Sequence, residues 1–242
     1  PKRWDDGMQD VISHAVFIFN QCRDHLTITP KDYHYVYCFC YLPNVISAFI
    51  IDRMDYMNES KKGTLLPLAF EMLESLLRYS EIIEGYDPIE GMTSASQGYH
   101  NRGFLYYKLR RWNEAISDYQ KALDSRRFIY EYMPHKENKR VIGETLVNIG
   151  AAQLEWCKEN HTIEGHNPID TAKEALSIYE SLYNKDYPLS EVDINKAKQL
   201  IATSYYYIGN SEEKQLGLEI MKEIYEHKSK SIRSFTIEDL ES

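Results

Sequence analysis

The sequence predicts an all-α protein built from antiparallel helical hairpins stacked side by side. Three features of the 242-residue chain lead there. Apolar residues recur at three- and four-residue intervals along almost the whole length, the spacing of one buried helix face. Glycine (11) and proline (8) are too scarce for a turn-rich β sandwich. Apolar stripes also come in pairs joined by short polar turns. In GFLYYKLRRWNEAISDYQKAL, residues 103–123, neither Gly nor Pro marks the join.

Each element follows in chain order. Residues 6–21 carry an apolar face of Met8, Val11, Ile12, Ala15, Val16 and Phe19 that stops before TITP. DYHYVYCFCYL then alternates aromatic residues as a strand would, but its other parity holds Val36, Cys38, Cys40 and Leu42, so neither face is polar. A lone strand in a helical chain would have no pairing partner. The stretch therefore reads as the start of a buried helix running to about Tyr56, bent at Pro43. NESKKGT reads as a turn, LLPLAFEMLESLLRYSEII as an amphipathic helix over 64–84, and GYDPIEG as a loop. Helices are expected over 92–109, 112–131, 138–158, 168–184, 189–208 and 212–228, with Asn113 capping the second of these. SIRSFTIEDLES closes the chain with weak periodicity. The expected organisation is a capping helix over 1–30, a repeat array over 31–228 and a tail over 229–242.

Composition narrows the function. With 28 Lys and Arg against 37 Asp and Glu, the formal charge is −9, which argues against nucleic acid or an anionic membrane as direct partner. The basic runs (Lys108, Arg110, Arg111; Lys136, Lys139, Arg140) are short, lie beside carboxylates and read as solvated faces. The four cysteines, Cys22, Cys38, Cys40 and Cys157, lack zinc-finger spacing and read as reduced, buried thiols of a cytoplasmic protein. Apolar runs such as VISAFII are too short to span a bilayer. A chain that opens on Pro rather than Met also reads as a piece cut from a longer protein.

The quoted stretch resembles a tetratricopeptide repeat, a helix–turn–helix unit of about 34 residues. Gly103 and Tyr106 on the first helix carry the likeness, with Ala115, Tyr119 and Ala122 on the second. Gly103 and Ala115 are small where the helices would cross, and the two tyrosines fill the space beside the crossing. LVNIGAAQLEW with AKEALSIYESLY echoes the unit through Gly150, Ala175, Tyr179 and Leu182. KQLIATSYYYIGN with LGLEIMKEIY echoes it through Ala202, Tyr205, Gly217, Met221 and Ile224. A fainter copy precedes these, with Ala48 and Ile51, then Ala69, Leu73 and Leu76. Two departures stand out. Gly103 and Gly150 are 47 residues apart, Gly150 and Ala202 are 52 apart, and Arg102 occupies a position the family fills with an apolar residue.

The resemblance implies an α-α superhelix, a solenoid whose concave face is lined by the first helix of each pair and binds an extended or helical peptide. It puts Asn101, Phe104, Tyr107 and Lys108 on that face from the best copy. The next copy would supply Asn148, Ala151 and Glu155, and the third Thr203, Tyr206 and Tyr207. Asn101 and Asn148 fall at equivalent places, where an amide can bond both the N–H and C=O of a peptide backbone. The groove mixes Lys108 and Lys196 with Glu144 and Glu155. Some members of the family clamp a terminal carboxylate, but His100, Phe104 and Glu144 break that pattern here. No Gly-rich phosphate loop, G-x-S-x-G or H-E-x-x-H is present, and Glu71 and Glu74 belong to an exposed helix side. The expectation is a non-enzymatic scaffold for a protein or peptide segment, without cofactor or metal and of unspecified oligomeric state. Two alternatives stand beside it. One is a peptide-sensing regulator resembling bacterial pheromone receptors, its output domain elsewhere. The other is a metal-assisted hydrolase using Cys157, His161 and His166.

Overall fold

A computed structural model of the chain describes the backbone of residues 2–28, 33–183 and 189–238, and the side chains of 10–25, 38–183 and 191–226. Every regular element among them is helical, and the chain divides into two compact units, Pro1–Met133 and Pro134–Ser242. The first holds α1 (Lys2–Ile28), α2 (Tyr33–Arg53), a 3-10 turn (Met54–Tyr56), α3 (Glu59–Glu84), α4 (Pro88–Lys108) and α5 (Trp112–Tyr132). The second holds α6 (Lys136–Asn160), α7 (Pro168–Leu182), α8 (Leu189–Ile208) and α9 (Ser211–Glu238).

The ambiguous aromatic stretch is helical. Phe39, Ile46, Ile50 and Ile51 are buried along one side of α2 while Cys38, Tyr41 and Val45 are exposed, so burial follows a 3.6-residue period and not a two-residue one. The helix passes through Pro43 without a break. Residues of NESKKGT, expected as a turn, open α3 instead. Asn58 caps it by accepting from the Lys61 backbone N–H at 2.9 Å, and Lys62 donates to Glu59 at 2.9 Å. Asp87 and Asn167 cap α4 and α7 in the same way, each followed by Pro at the first helical position.

The turn between α4 and α5 works differently from the expectation. Asn113 is exposed and sits inside α5, whose cap position is Arg111 with no side-chain cap bond. The reason lies one step upstream. Arg110 adopts φ 60°, Arg111 N–H donates back to Tyr106 O at 2.9 Å, and Arg110 N–H donates to Tyr107 O at 2.9 Å. That pair of bonds is a Schellman closure made without glycine, and it starts α5 two residues earlier than an Asn113 cap would allow.

Packing within each unit runs between chain neighbours, and in both units one contact skips a helix: α2 touches α4, and α6 touches α8. The first helices of successive hairpins therefore lie side by side, each backed by its second helix. In the first unit the core gathers Phe19, Phe39, Ile50, Leu73, Leu76, Ile83 and Leu105. In the second, Leu154, Ala172, Leu200, Ile201 and Tyr205 form a core cluster. Each large side chain so buried contributes about 1.5–3 kcal/mol.

Small residues set how closely the helices approach. A Cβ on Gly103 would meet the Tyr119 ring at 2.9 Å, so α4 and α5 pack ring against backbone. The matching contact in the second unit belongs to Gly143, where a Cβ would meet the Tyr179 ring at 2.7 Å. Gly150 faces Leu200 of α8 and the Pro168 carbonyl instead. Gly143 and Gly150 stand seven residues apart, almost two turns, so they share one face of α6 at different heights.

Candidate functional site

The exposed face formed by α2 and α4 is the first place to look for a partner. On α4, Gln97, Asn101, Phe104 and Lys108 follow one another at helical spacing. Asn101 Nδ2 donates to Asn44 Oδ1 at 2.7 Å, and Asn44 Nδ2 donates to Gln97 Oε1 at 3.0 Å, so an amide chain bridges the two helices. Lys108 pairs with Asp55 just beyond the end of α2 and also lies over the Phe104 ring at 5.5 Å. Phe104 itself is 36% exposed, and Tyr41, one turn before Asn44, is 64% exposed. Tyr107 is half-buried against Trp112 in an edge-to-face contact at 5.2 Å. Asn101, Phe104 and Lys108 thus share one surface, while Tyr107 braces the turn.

In the second unit the corresponding face belongs to α6 and α8. Glu155 accepts from Lys158 at 2.7 Å, and Lys158 lies over the Tyr207 ring at 4.6 Å, which joins the two helices. Tyr206 and Tyr207 meet edge to face at 5.2 Å and are both about half-exposed. Thr203 Oγ1 donates to Gln199 O at 2.7 Å, an intrahelical bond that spends its proton. Asn148 is half-buried on α6, five residues after Gly143, so it does not stand to the ring-on-glycine crossing as Asn101 does.

Sequence reasoning missed the polar layer that fixes these helices. Arg102, out of place by family pattern, donates from Nε and Nη2 to Asp118 at 2.6 and 3.0 Å. Asp118 is 3% exposed, and this bond holds the guanidinium proton more tightly than usual. The signal was present in sequence only as a matched pair, one unusual Arg and one unusual Asp on facing helices. His100 sits beside Arg126, with Nδ1 3.2 Å from the guanidinium; burial, helped by that charge, pushes the imidazole down to about 3. In the second unit Arg140 reaches from α6 to the buried Asp193 of α8 at 3.4 Å while pairing with Glu137 at 2.7 Å. Within the short basic runs, Lys108 pairs with Asp55 from another helical hairpin, and Arg111 with Glu114 and Arg140 with Glu137 along their own helices.

The proposed metal ligands are not brought together. Cys157 is buried and its thiol is pushed up by burial, which disfavours the thiolate a metal needs. His166 stacks edge-on against Trp156 at 4.4 Å, and His161 is exposed at the left-handed end of α6. Among the described residues no group of three His, Cys, Asp or Glu side chains is placed to hold a metal ion, and no helix is long and apolar enough to cross a membrane. The cysteines also need a correction: Cys40 and Cys157 are buried, but Cys22 is only half-buried and Cys38 is exposed, because α2 turns that edge outward.

Comparison with known proteins returns one match. The family model of the tetratricopeptide repeat covers residues 96–126. No curated protein and no solved structure matches the chain. The matched span contains the Gly103–Tyr119 crossing, the fully buried Ala115 and Ala122, and Tyr106 set between the Phe70 ring at 5.4 Å and the Arg111 guanidinium at 4.6 Å. The chain carries a tetratricopeptide repeat, and that repeat is the hairpin of α4 and α5.

Proposed function

We propose that the protein is a non-enzymatic scaffold that binds a peptide segment of another protein on the faces formed by the first helices of its hairpins. The observation that carries the reading is the α2–α4 surface. It offers an exposed aromatic ring at Phe104 beside a prearranged amide chain through Asn44, Asn101 and Gln97, with Lys108 held over the ring by its pairing with Asp55. An aromatic anchor supplies apolar area, and side-chain amides supply contacts to peptide backbone that tolerate many sequences. Since Asn101 already donates to Asn44, its remaining hydrogen-bonding capacity and that of Gln97 would face the ligand. Glu155, Thr203 and Tyr206, with Asn148, form the second candidate surface on α6 and α8.

The peptide-sensing alternative rests on the long repeat spacing, which has a simpler source. Helix α6 is 25 residues long, and the polar stretch from His161 to Asn167 follows it before α7 begins.

The test is selection of peptides by the intact chain from a displayed library, repeated with Phe104→Ala and Tyr206→Ala and with Glu71→Ala on the opposite side as control. Loss of affinity by about tenfold or more, equal to about 1.4 kcal/mol, is expected for Phe104→Ala and no change for Glu71→Ala. Equal binding by all of them would remove the assignment of the face.

A further inference from the structure

Two of the four cysteines, Cys22 and Cys38, stand on helices that pack together. Cys40 is locked in the core, its thiol donating to Leu76 O at 3.8 Å, and burial pushes that thiol up to about 12. Cys157 is likewise buried. Cys22 on α1 is half-buried at the core edge, and Cys38 on α2 is exposed. Helices α1 and α2 pack together, and Phe19 stacks on Phe39 with ring centroids 4.3 Å apart, which fixes their register. From that level Cys22 lies three residues onward along α1, and Cys38 lies one residue back along α2. Because the helices run in opposite directions, both steps lead the same way, and the two differ in height by about 3 Å at the 1.5 Å helical rise. The Cys22 thiol is raised first by burial and further by the nearby Cys38.

We propose that Cys22 and Cys38 form a reversible disulfide that ties α1 to α2, with a low-molecular-weight disulfide as oxidant. The exposed Cys38 thiolate attacks oxidised glutathione, forming a mixed disulfide and releasing one glutathione thiolate. The Cys22 thiolate then attacks the Cys38 sulfur, forming the Cys22–Cys38 bond and releasing the second glutathione thiolate. The two electrons leave on the two glutathione molecules, which take up the two cysteine protons. The bond would fasten the first helix to its neighbour and remove freedom from the unfolded chain.

The experiment treats the full chain with oxidised glutathione, native and in urea, and maps disulfides by mass spectrometry of unreduced peptides. The expected product is an intramolecular Cys22–Cys38 link that forms faster in the native chain, with Cys40 and Cys157 recovered as free thiols. Its thermal midpoint rises by several degrees and dithiothreitol reverses the rise; Cys22→Ser leaves Cys38 glutathionylated and uncrosslinked. Separate glutathionylation of Cys22 and Cys38 in the wild-type chain, a link between two chains, or equal rates with and without urea would overturn the proposal. The wild-type map alone decides, whatever the folding of the variant.

Discussion

Gly103 and Gly63 are both helical glycines, and their surroundings give them opposite roles. A methyl at Gly103 would press on the Tyr119 ring at 2.9 Å, whereas nothing lies within 4 Å of one at Gly63. Gly103→Ala is expected to lower stability by about 1–2 kcal/mol, the overpacking cost exceeding the gain in helix propensity. Gly63→Ala is expected to raise it by about 0.5–1 kcal/mol, since only propensity changes. Urea titration of the two variants measures both, and a stable Gly103→Ala protein would refute the ring-on-backbone crossing. His100 supplies a second prediction at this scale. Its folded pKa is depressed from 6.5 to about 3, so its contribution is whole above pH 6.5 and is lost as pH falls towards 3, where the unfolded chain takes a proton that the folded one refuses. His100→Gln should therefore flatten the stability-against-pH curve in that window. An unchanged slope would mean that other groups set it.

Among the elements, the α4–α5 turn was the hardest to read. Its lack of Gly suggested an ordinary cap at Asn113, but the backbone spends its strain at Arg110, and no residue type announces a left-handed Arg. Arg110→Gly is expected to stabilise the chain by about 0.5–1 kcal/mol, because glycine takes φ 60° without a Cβ clash. A lower melting temperature would show that the Arg110 contact with Trp112, at 6.0 Å, outweighs the relief. The start of α7 was legible where a capping residue stood beside Pro, at Asn167 with Pro168, but the same pair at Asp87 and Pro88 falls in a stretch that reads as a loop, and α4 opens at Pro88 and not at the expected 92. The start of α3 was missed as well, where Gly63 inside ESKKGT suggested a turn, though Asn58 is a good cap and the face beyond it is apolar. Of the four α4 residues that the resemblance put on one face, Asn101, Phe104 and Lys108 do share a surface, while Tyr107 packs against Trp112. The α2 part of the candidate site was not legible, because pairing Asn44 with Asn101, and Asp55 with Lys108, depends on how two helices far apart in sequence lie together.

At the scale of the whole molecule, the division at Met133 and Pro134 is the main feature absent from the sequence reading, which expected one array over 31–228. Periodicity reports faces along each helix and says nothing of where contacts thin out between one hairpin and the next. Core clusters drawn from within each unit lead to a further expectation: residues 1–133 and 134–242, made as separate chains, should each be helical and melt cooperatively by circular dichroism. A fragment with the spectrum of an unfolded chain would show that its hairpins need the rest of the protein. Arg102 with Asp118, and Arg140 with Asp193, give each fragment its own buried ionic tie, one that no hydrophobic pattern reveals.

The ring-on-glycine crossing recurs at Gly103 with Tyr119 and at Gly143 with Tyr179, although 16 positions part the first couple and 36 the second. A template that measures by fixed intervals therefore recognises the shorter couple and passes over the longer one. Evolution can thus lengthen a hairpin on the loop side of this crossing, turn by turn, without disturbing the joint that holds it shut.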